Sequence, residues 1–340
     1  MGSTPIGNAI FTAEAMLMPE PLPSEKRIIR STPGPEGAGM RLDLWLAARF
    51  TYRSRAEWQN AVRRGEILLN GASARPARIL RGGETVEFIV PDLPEPPVSA
   101  DYHILADFPQ YIVVDKPGDL PVHPSGRFFN HTLLMLLRRD LGADFYPVNR
   151  IDRETSGIVV FARTPSAAAR LSGSLAKHPV RKKYLVFVHG CFPSAPLRAA
   201  GWLSADPHST VRKKRRFTFD RPDGPDPESS DTEFIRLKCS EGFSELSCLL
   251  HTGRLHQIRA TLCSLGFPVV GDKLYGLDDT VFSRFADGKM TDADKKTLLV
   301  DRQCLHASEM EMTDPFDGKE KRFVSPLPPL LSDLENRLFR

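Results

Sequence analysis

Cysteine is scarce in this sequence: five residues in 340, at positions 191, 239, 248, 263 and 304, with no CxxC pair and no dense spacing. That leaves no sign of a disulfide framework and fits a reducing cytoplasm. Long apolar runs are also missing. No stretch approaches the roughly 18 apolar residues of a membrane span, and no cationic segment followed by an apolar run opens the chain. The expectation is a soluble, unexported, cytoplasmic protein with no membrane partner. Neither a P-loop nor a GxGxxG fingerprint occurs, so no nucleotide cofactor is expected. The formal net charge of +4 is small and by itself argues only weakly for nucleic-acid binding.

What is present is an ordinary globular composition, 41% hydrophobic and 26% charged, long enough for two compact units. The 29 prolines gather before residue 40, at 91–97, at 222–227 and at 326–329, which marks connectors. Residues 1–40 lack sustained periodicity and read as a flexible arm. Residues 41–90 hold nine Arg and no Lys against five acids, a local surplus of four positive charges (9 − 5). Within them Leu42, Leu44, Trp45, Leu46 and Phe50 suit a short buried helix, and Ser54-Arg55-Ala56-Glu57 has the spacing of a capping box opening a second helix that ends near Gly65. Ile67-Leu68-Leu69, the turn pair Asn70-Gly71 and Thr85–Val90 read as strands about a turn. Two short helices followed by strands, with Arg53, Arg55, Arg63 and Arg64, resemble the S4 RNA-binding domain. The plain alternative is a solvated helix face.

After a proline-rich linker at 91–101, the pattern from 102 to 340 intermixes strands and helices without regular alternation, which indicates an α+β fold with a mixed sheet. Tyr111–Asp115 reads as a buried strand, and Lys116-Pro117-Gly118-Asp119 has type II turn chemistry leading to a further strand. Asn130 or Thr132 can cap a helix over Leu133, Leu134, Leu136 and Leu137, stopped by Gly142. Ile158–Phe161 and Tyr184–Val188 are strand-like, with a helix opening at Thr164-Pro165 between them. Residues 206–232 read as an inserted loop carrying the run Arg212-Lys213-Lys214-Arg215-Arg216. Such a run is a solvated face, a nuclear signal or an RNA contact.

The most informative segment is Asn149-Arg150-Ile151-Asp152-Arg153-Glu154-Thr155-Ser156-Gly157, a charged turn placed directly before an apolar strand. From residue types alone, Asp152 reads as a turn-capping or salt-bridged carboxylate before a reactive one. Asp152 and Glu154, two apart, could also share one face of a strand as a carboxylate pair, as a glycosidase would use. They would then sit about 7 Å apart but approach a sugar from the same side.

The segment resembles the catalytic motif of the RluA-type RNA pseudouridine synthases. Other segments agree in the same order: Asp115-Lys116-Pro117 with Val122-His123-Pro124, Lys183-Tyr184, and Thr252-Gly253-Arg254-Leu255-His256-Gln257-Ile258-Arg259. Gly266–Asp272 with Tyr275-Gly276, and Leu305-His306-Ala307, extend the likeness over roughly residues 102–330. Asn149 stands where the family often has histidine, Leu255 where threonine is usual, and Ala260-Thr261 where a valine-histidine pair is frequent.

The resemblance implies the pseudouridine synthase fold, a largely antiparallel mixed sheet with flanking helices and a central cleft, preceded by a small α/β S4-like domain. It implies isomerisation of uridines in structured RNA, ribosomal or transfer RNA, with Asp152 as nucleophile, Arg259 as its cationic partner and Tyr184 stacking on the flipped base. The reaction breaks the bond from ribose C1′ to N1 and forms one to C5 without net redox change or hydrolysis. A carboxylate therefore suffices, and no metal or other cofactor is expected. Arg53, Arg55, Arg63, Arg64, Arg150, Arg153, Arg254 and His256 are the expected RNA contacts. His123 and His306 read as hydrogen-bonding structural residues, and the His251/His256 spacing matches no metal-ligand pattern. The non-enzymatic alternative is an inactive RNA-binding or ribosome-assembly factor of the same fold. A monomer is the default.

Overall fold

The computed structural model describes residues 28–50, 53–89, 95–126, 128–177, 180–211, 213–224, 226–278 and 280–339. The expected arm over 1–27, linker residues 91–94, Val90 and Arg212 lie outside the described residues. The chain divides into two compact units, Met1–Pro94 and Glu95–Arg340.

The first unit runs β1 (Ile28–Ser31), α1 (Leu42–Arg49), α2 (Arg55–Arg63), β2 (Ile67–Leu69), β3 (Ala72–Ser73) and β4 (Val86–Ile89). Its four strands form an antiparallel sheet in the order β1-β4-β2-β3. Leu42, Trp45 and Leu46 of α1 share the helix stripe that meets Trp58, Ala61 and Val62 of α2 and Ile67, Val86 and Phe88 of the sheet. Leu44, off that stripe, is exposed. The capping box forms: Ser54 accepts from the Glu57 backbone N–H, and Glu57 accepts from the Ser54 N–H. Asn70 and Gly71 take left-handed conformations that turn β2 into β3. One segment of the expected arm is ordered, because Ile28–Ser31 adds a strand to β4. Its exposed Ile28 and Ile29 give no in-out alternation from which sequence could read a strand.

The second unit begins with β5 (His103–Asp107), β6 (Tyr111–Lys116), α3 (Leu133–Leu141), β7 (Tyr146–Pro147), β8 (Ser156–Ala162) and α4 (Pro165–Lys177). It continues through β9 (Arg181–His189), β10 (Leu197–Ala205), β11 (Arg215–Thr218), β12 (Glu228–Ser240), β13 (Phe243–Leu250) and α5 (Gln257–Ser264). It ends with α6 (Thr280–Ala286), α7 (Asp292–Leu298), β14 (Leu305–Thr313), β15 (Glu320–Val324) and α8 (Pro329–Leu338). One mixed sheet has the order β11-β10-β12-β13-β9-β14-β8-β6-β5, with β15 on β14 and β7 on β8. All described pairings are antiparallel except β8 with β14.

Strands β6 and β8 are buried on both faces, as their unbroken apolar runs require. Ile112, Val114, Val159 and Phe161 pack under α3, while Tyr111, Val113, Ile158 and Val160 face α4 and β15. Thr132 caps α3 through the Met135 N–H, and Gly142 closes it at φ 62°. The parallel pair explains Gly157: at φ 109°, a Cβ there would lie 2.2 Å from the Ala307 carbonyl oxygen.

Several expectations are corrected here. The left-handed residue of the turn after β6 is Asp119 (φ 64°), one position later than a type II turn on Pro117 requires. Gly118 is needed instead for closeness, since a Cβ would meet the Arg302 side chain. Among the described residues no strand follows this turn before α3. The segment 206–232 is not simply a loop: Arg215–Thr218 form β11, paired with Trp202–Ala205 of β10. Phe217 is the buried residue of β11 and joins the core beside Ala199 and Leu203 of β10. Cys191 and Cys239 form a disulfide across 48 residues of sequence, with Cα atoms 6.0 Å apart. The chain leaving β9 folds back over β13, where the Phe192 N–H donates to Ser244 Oγ, and local spacing could not announce that pairing.

His306 is enclosed at the start of β14. Its Nδ1 lies 3.0 Å from Ser156 Oγ and its Nε2 3.2 Å from the Ser325 carbonyl oxygen, so Nε2 carries the proton and Ser156 donates to Nδ1. Burial brings its pKa down to about 4. The unfolded histidine takes up its proton near pH 6.5 and the folded one does not, so stability falls as pH drops from about 6.5 towards 4. His306 contributes about 3 kcal/mol of that loss. Urea titrations between pH 7 and pH 5 should show a slope that is smaller by nearly one proton in His306→Gln. An identical slope in both proteins would rule this out.

Candidate active site

The turn 148–155 hangs between β7 and β8 and is braced from beneath. Lys116, fully buried, donates through Nζ to the carbonyl oxygens of Pro117 (2.7 Å), Leu120 (2.8 Å) and Arg153 (3.0 Å). With three acceptors and no carboxylate in hydrogen-bond contact, burial and then the Arg302 charge push its pKa well down. Asn149 closes the other side of the turn, accepting from the Val160 N–H at 2.8 Å. Glu154 is occupied by Lys273 Nζ (2.9 Å), by Arg153 and by the Gln303 backbone N–H. The turn therefore presents Asp152, whose side chain is 27% exposed, to Arg259 and His256.

Asp152 Oδ2 accepts from Arg259 NH1 at 2.7 Å and lies 3.4 Å from Gln303 Nε2, which also donates to Thr155 Oγ1 at 2.6 Å. Arg259, on α5, is the hinge of the arrangement. Its Nε and NH2 form a fork onto Asp272 at 2.6 and 2.9 Å, so one guanidinium joins two carboxylates. Asp272 Oδ1 also accepts the backbone N–H groups of Leu274 and Tyr275. Burial raises the Asp152 pKa, but Arg259, together with His256 and Gln303, outweighs it and holds the acid below the ordinary range. The same contest leaves Asp272 depressed and the guanidinium raised. The result is a part-buried carboxylate that is kept ionised.

Tyr184 sits on β9 between Cys248 of β13 and Ala307 of β14, nearly buried. Burial and then the Asp152 charge raise its pKa, so the phenol keeps its proton. His256 precedes α5 in a left-handed conformation at φ 56°, which turns its ring towards Asp152: Nε2 stands 3.9 Å from Oδ1. Asp152, Tyr184, His256 and Arg259 are thus gathered from three separate segments, the 148–155 turn, β9 and the start of α5.

The other expected contacts are distributed differently. Arg150 is exposed, with NH1 3.3 Å from His123 Nε2. Arg254 is anchored by Nε on the Ser229 carbonyl oxygen at 3.1 Å. Arg153, expected at the RNA, turns inward: it pairs with Asp119 (3.1 Å) and Glu154 (2.9 Å) between the rings of Phe128 and Phe285. In the first unit, Arg55 and Arg41 both bind the buried Asp43, and the Arg41 hydrogen bonds, with help from Gln59 and Arg55, hold that acid well below its usual range. Arg53 packs over Trp58 and Phe88, Arg64 pairs with Glu66, and Arg63 donates to Asn60. The paired-carboxylate geometry fails, because Asp152 and Glu154 lie on a turn rather than a strand and Glu154 is consumed by its cations.

Sequence reasoning did not single out Lys116, Asp272, Tyr275 or Gln303 as site residues. Asp272 stood in a quoted motif, and a buried acid demands a cation, but nothing local said that it would meet Arg259.

A family profile described as RNA pseudouridylate synthase matches residues 110–264. The chain is 33% identical over 332 residues to the ribosomal large subunit pseudouridine synthase D of Xanthomonas campestris pv. campestris, covering 94% of each chain. It belongs to the RluA-type family of RNA pseudouridine synthases. The mitochondrial tRNA pseudouridine(32) synthase of Saccharomyces cerevisiae is 27% identical over 254 residues, covering 74% of this chain and 54% of that one. In fold, the solved structure of human RNA pseudouridylate synthase domain containing 1 aligns with a TM-score of 0.55 at 22% identity, over 72% of this chain and 91% of that one. The synthase is thus an isomerase built on a mixed sheet with flanking helices. Among the described residues, no helix is long and apolar enough to cross a membrane.

Proposed function

We propose that this synthase isomerises uridines in structured RNA, ribosomal RNA before transfer RNA, with Asp152 as its nucleophile. The observation that supports this most is the Arg259 bridge, which keeps the part-buried Asp152 charged. Its carboxylate can attack C1′ or start glycal formation, and either route needs the ionised form. Arg259 is the partner of the nucleophile and Tyr184 the platform for the extruded base, offsetting part of an unstacking cost of a few kcal/mol. Ribosomal RNA is favoured because a relative matched over nearly the whole chain, that of Xanthomonas campestris pv. campestris, is named a ribosomal large-subunit synthase. The test is chromatography of nucleosides after incubating unmodified ribosomal and transfer RNA transcripts with the enzyme. Pseudouridine from the ribosomal transcript supports the reading, and none from either transcript sinks it.

The first unit is assigned as an S4-like RNA-binding module, with Arg53, Arg55, Arg63 and Arg64 near the backbone of the RNA and Arg150, Arg254 and His256 nearer the target nucleotide, while Arg153 is held by Asp119 and Glu154. Arg63 and Arg64 are the better phosphate contacts of the first set, since Arg55 also neutralises Asp43 and Arg53 is stacked. Removing residues 1–94 should weaken RNA binding and flatten its salt dependence. The cut falls before Glu95, which accepts the backbone N–H groups of Phe129, Asn130 and His131. Filter binding at graded salt checks this; unchanged affinity and slope would remove the module from the account. The enzyme is taken to act as a monomer.

A further inference from the structure

Tyr275 is almost completely buried, and its hydroxyl stands at a junction. The backbone N–H of Arg215, the first residue of β11, donates to its oxygen at 2.8 Å. His256 Nδ1 lies 2.9 Å from the same oxygen. A buried hydroxyl proton needs an acceptor, and among the described contacts the one that offers a lone pair is Nδ1. The proton of a neutral His256 is then on Nε2, the nitrogen that faces Asp152. The carboxylate agrees, since an acceptor 3.9 Å away favours a proton on the nitrogen nearest to it. That separation is too long for a hydrogen bond, so the Nε2–H stands beside the reacting carboxylate without being consumed by it.

We propose that Tyr275 is a positioning residue: its hydroxyl, pinned by β11, fixes a neutral Nε2–H form of His256 that donates to an oxygen of the nucleotide held at Asp152. The inference rests on the reading of Asp152 as the reacting acid. The hairpin that sequence read as a loop thereby acquires a role, because the Arg215 backbone sets which way the Tyr275 hydroxyl points. The charged and titratable groups around His256 are Arg259, Asp152, Asp272, Lys213 and Tyr275 itself. Burial, then the Arg259 charge, bring the His256 pKa down to about 4, so the ring stays neutral at working pH. The side chain is 9% exposed, so a bound nucleotide meets it with little intervening water. Arg259 also lies over the Tyr275 ring, at 4.9 Å from its centroid, a contact that phenylalanine would keep.

The test combines nitrogen NMR of histidine-labelled protein, with His256→Gln to assign the signal, and single-turnover tritium release from large-subunit ribosomal RNA transcripts labelled at uridine C5. The wild type should show His256 as the Nε2–H form at pH 7, without titration above about pH 5. Tyr275→Phe removes the donor to Nδ1. It should raise the His256 midpoint by about one pH unit and lower kcat about tenfold with little change in KM. His256→Gln retains an N–H near the Nε2 position and should keep turnover within about tenfold of wild type, whereas His256→Phe should lose about 100-fold. An Nδ1–H form in the wild type would overturn the proposal, as would equal turnover in the glutamine and phenylalanine variants. Asp152→Asn, run alongside, separates the two readings. If it is inactive while Tyr275→Phe matches wild type in titration and rate, the inference alone fails. If it is fully active, the role of Asp152 fails, and with it the placing of His256 beside the reacting acid.

Discussion

Asp152→Asn should lower the single-turnover rate by about 10⁴-fold or more while RNA affinity stays within a few-fold of wild type. The two side chains are nearly the same size, so packing of the 148–155 turn on Lys116 and Asn149 is preserved. What disappears is the negative charge between Arg259, Gln303 and His256. An amide is a far weaker nucleophile and base than a carboxylate, though its carbonyl oxygen can still accept from Arg259. The neutral form also relieves Arg259 of one partner, leaving its fork on Asp272 intact, so folding should change little. Paired measurements of isomerisation rate and filter retention of the same RNA separate chemistry from binding. A proportional loss of both would identify Asp152 as a binding residue instead.

Arg259→Met should be the most damaging change to the fold and nearly as damaging to turnover. Its removal strands Asp152 and Asp272, the latter completely buried, without a cation, and breaking a buried ion pair from one side costs about 3–5 kcal/mol. Asp272 keeps two backbone N–H donors, which places the loss towards the lower end of that range. In the wild type, the depressed pKa values of these acids contribute stability at pH values above those of the unfolded carboxylates, and that stability is lost as pH falls through the folded values. Without Arg259 the sign reverses: burial raises both acids, Asp152 takes up a proton nearer neutrality, and the acid limb of the rate profile moves up. Arg259→Lys keeps a charge but cannot bridge two carboxylates and should fall between the two. Urea midpoints and pH–rate profiles check this, and a methionine variant with wild-type stability and pH dependence would contradict the bridge.

Much of the scaffold was legible because its signals are local. The apolar run at Tyr111–Asp115 became β6, Ile158–Phe161 lies within β8, and Tyr184–Val188 lies within β9. Ser54 and Thr132 cap the helices that their positions indicated. β11 was hidden by its composition, since Arg215 and Arg216 resemble a solvated run and only Phe217 reaches the core. The candidate site was legible through ordered motifs resembling a family rather than through chemistry that spacing could reveal. Asp152 and Arg259 are 107 residues apart, and Gln303 is 151 from Asp152. Such contacts depend on how β8, β14 and α5 are brought together. Arg153 and Arg55 show the converse: each reads as an RNA contact in sequence, yet each meets an acid of its own unit, because buried or half-buried carboxylates recruit the nearest guanidinium.

The most direct test of Asp152 as the reacting acid is tritium release from ribosomal and transfer RNA labelled at uridine C5, with wild type and Asp152→Asn side by side. That proton must leave when C5 bonds to C1′. Release by the wild type and none by the variant, with both binding the RNA, is the expected result. Equal release by the two proteins would contradict it and return Asp152 to the role of a structural carboxylate.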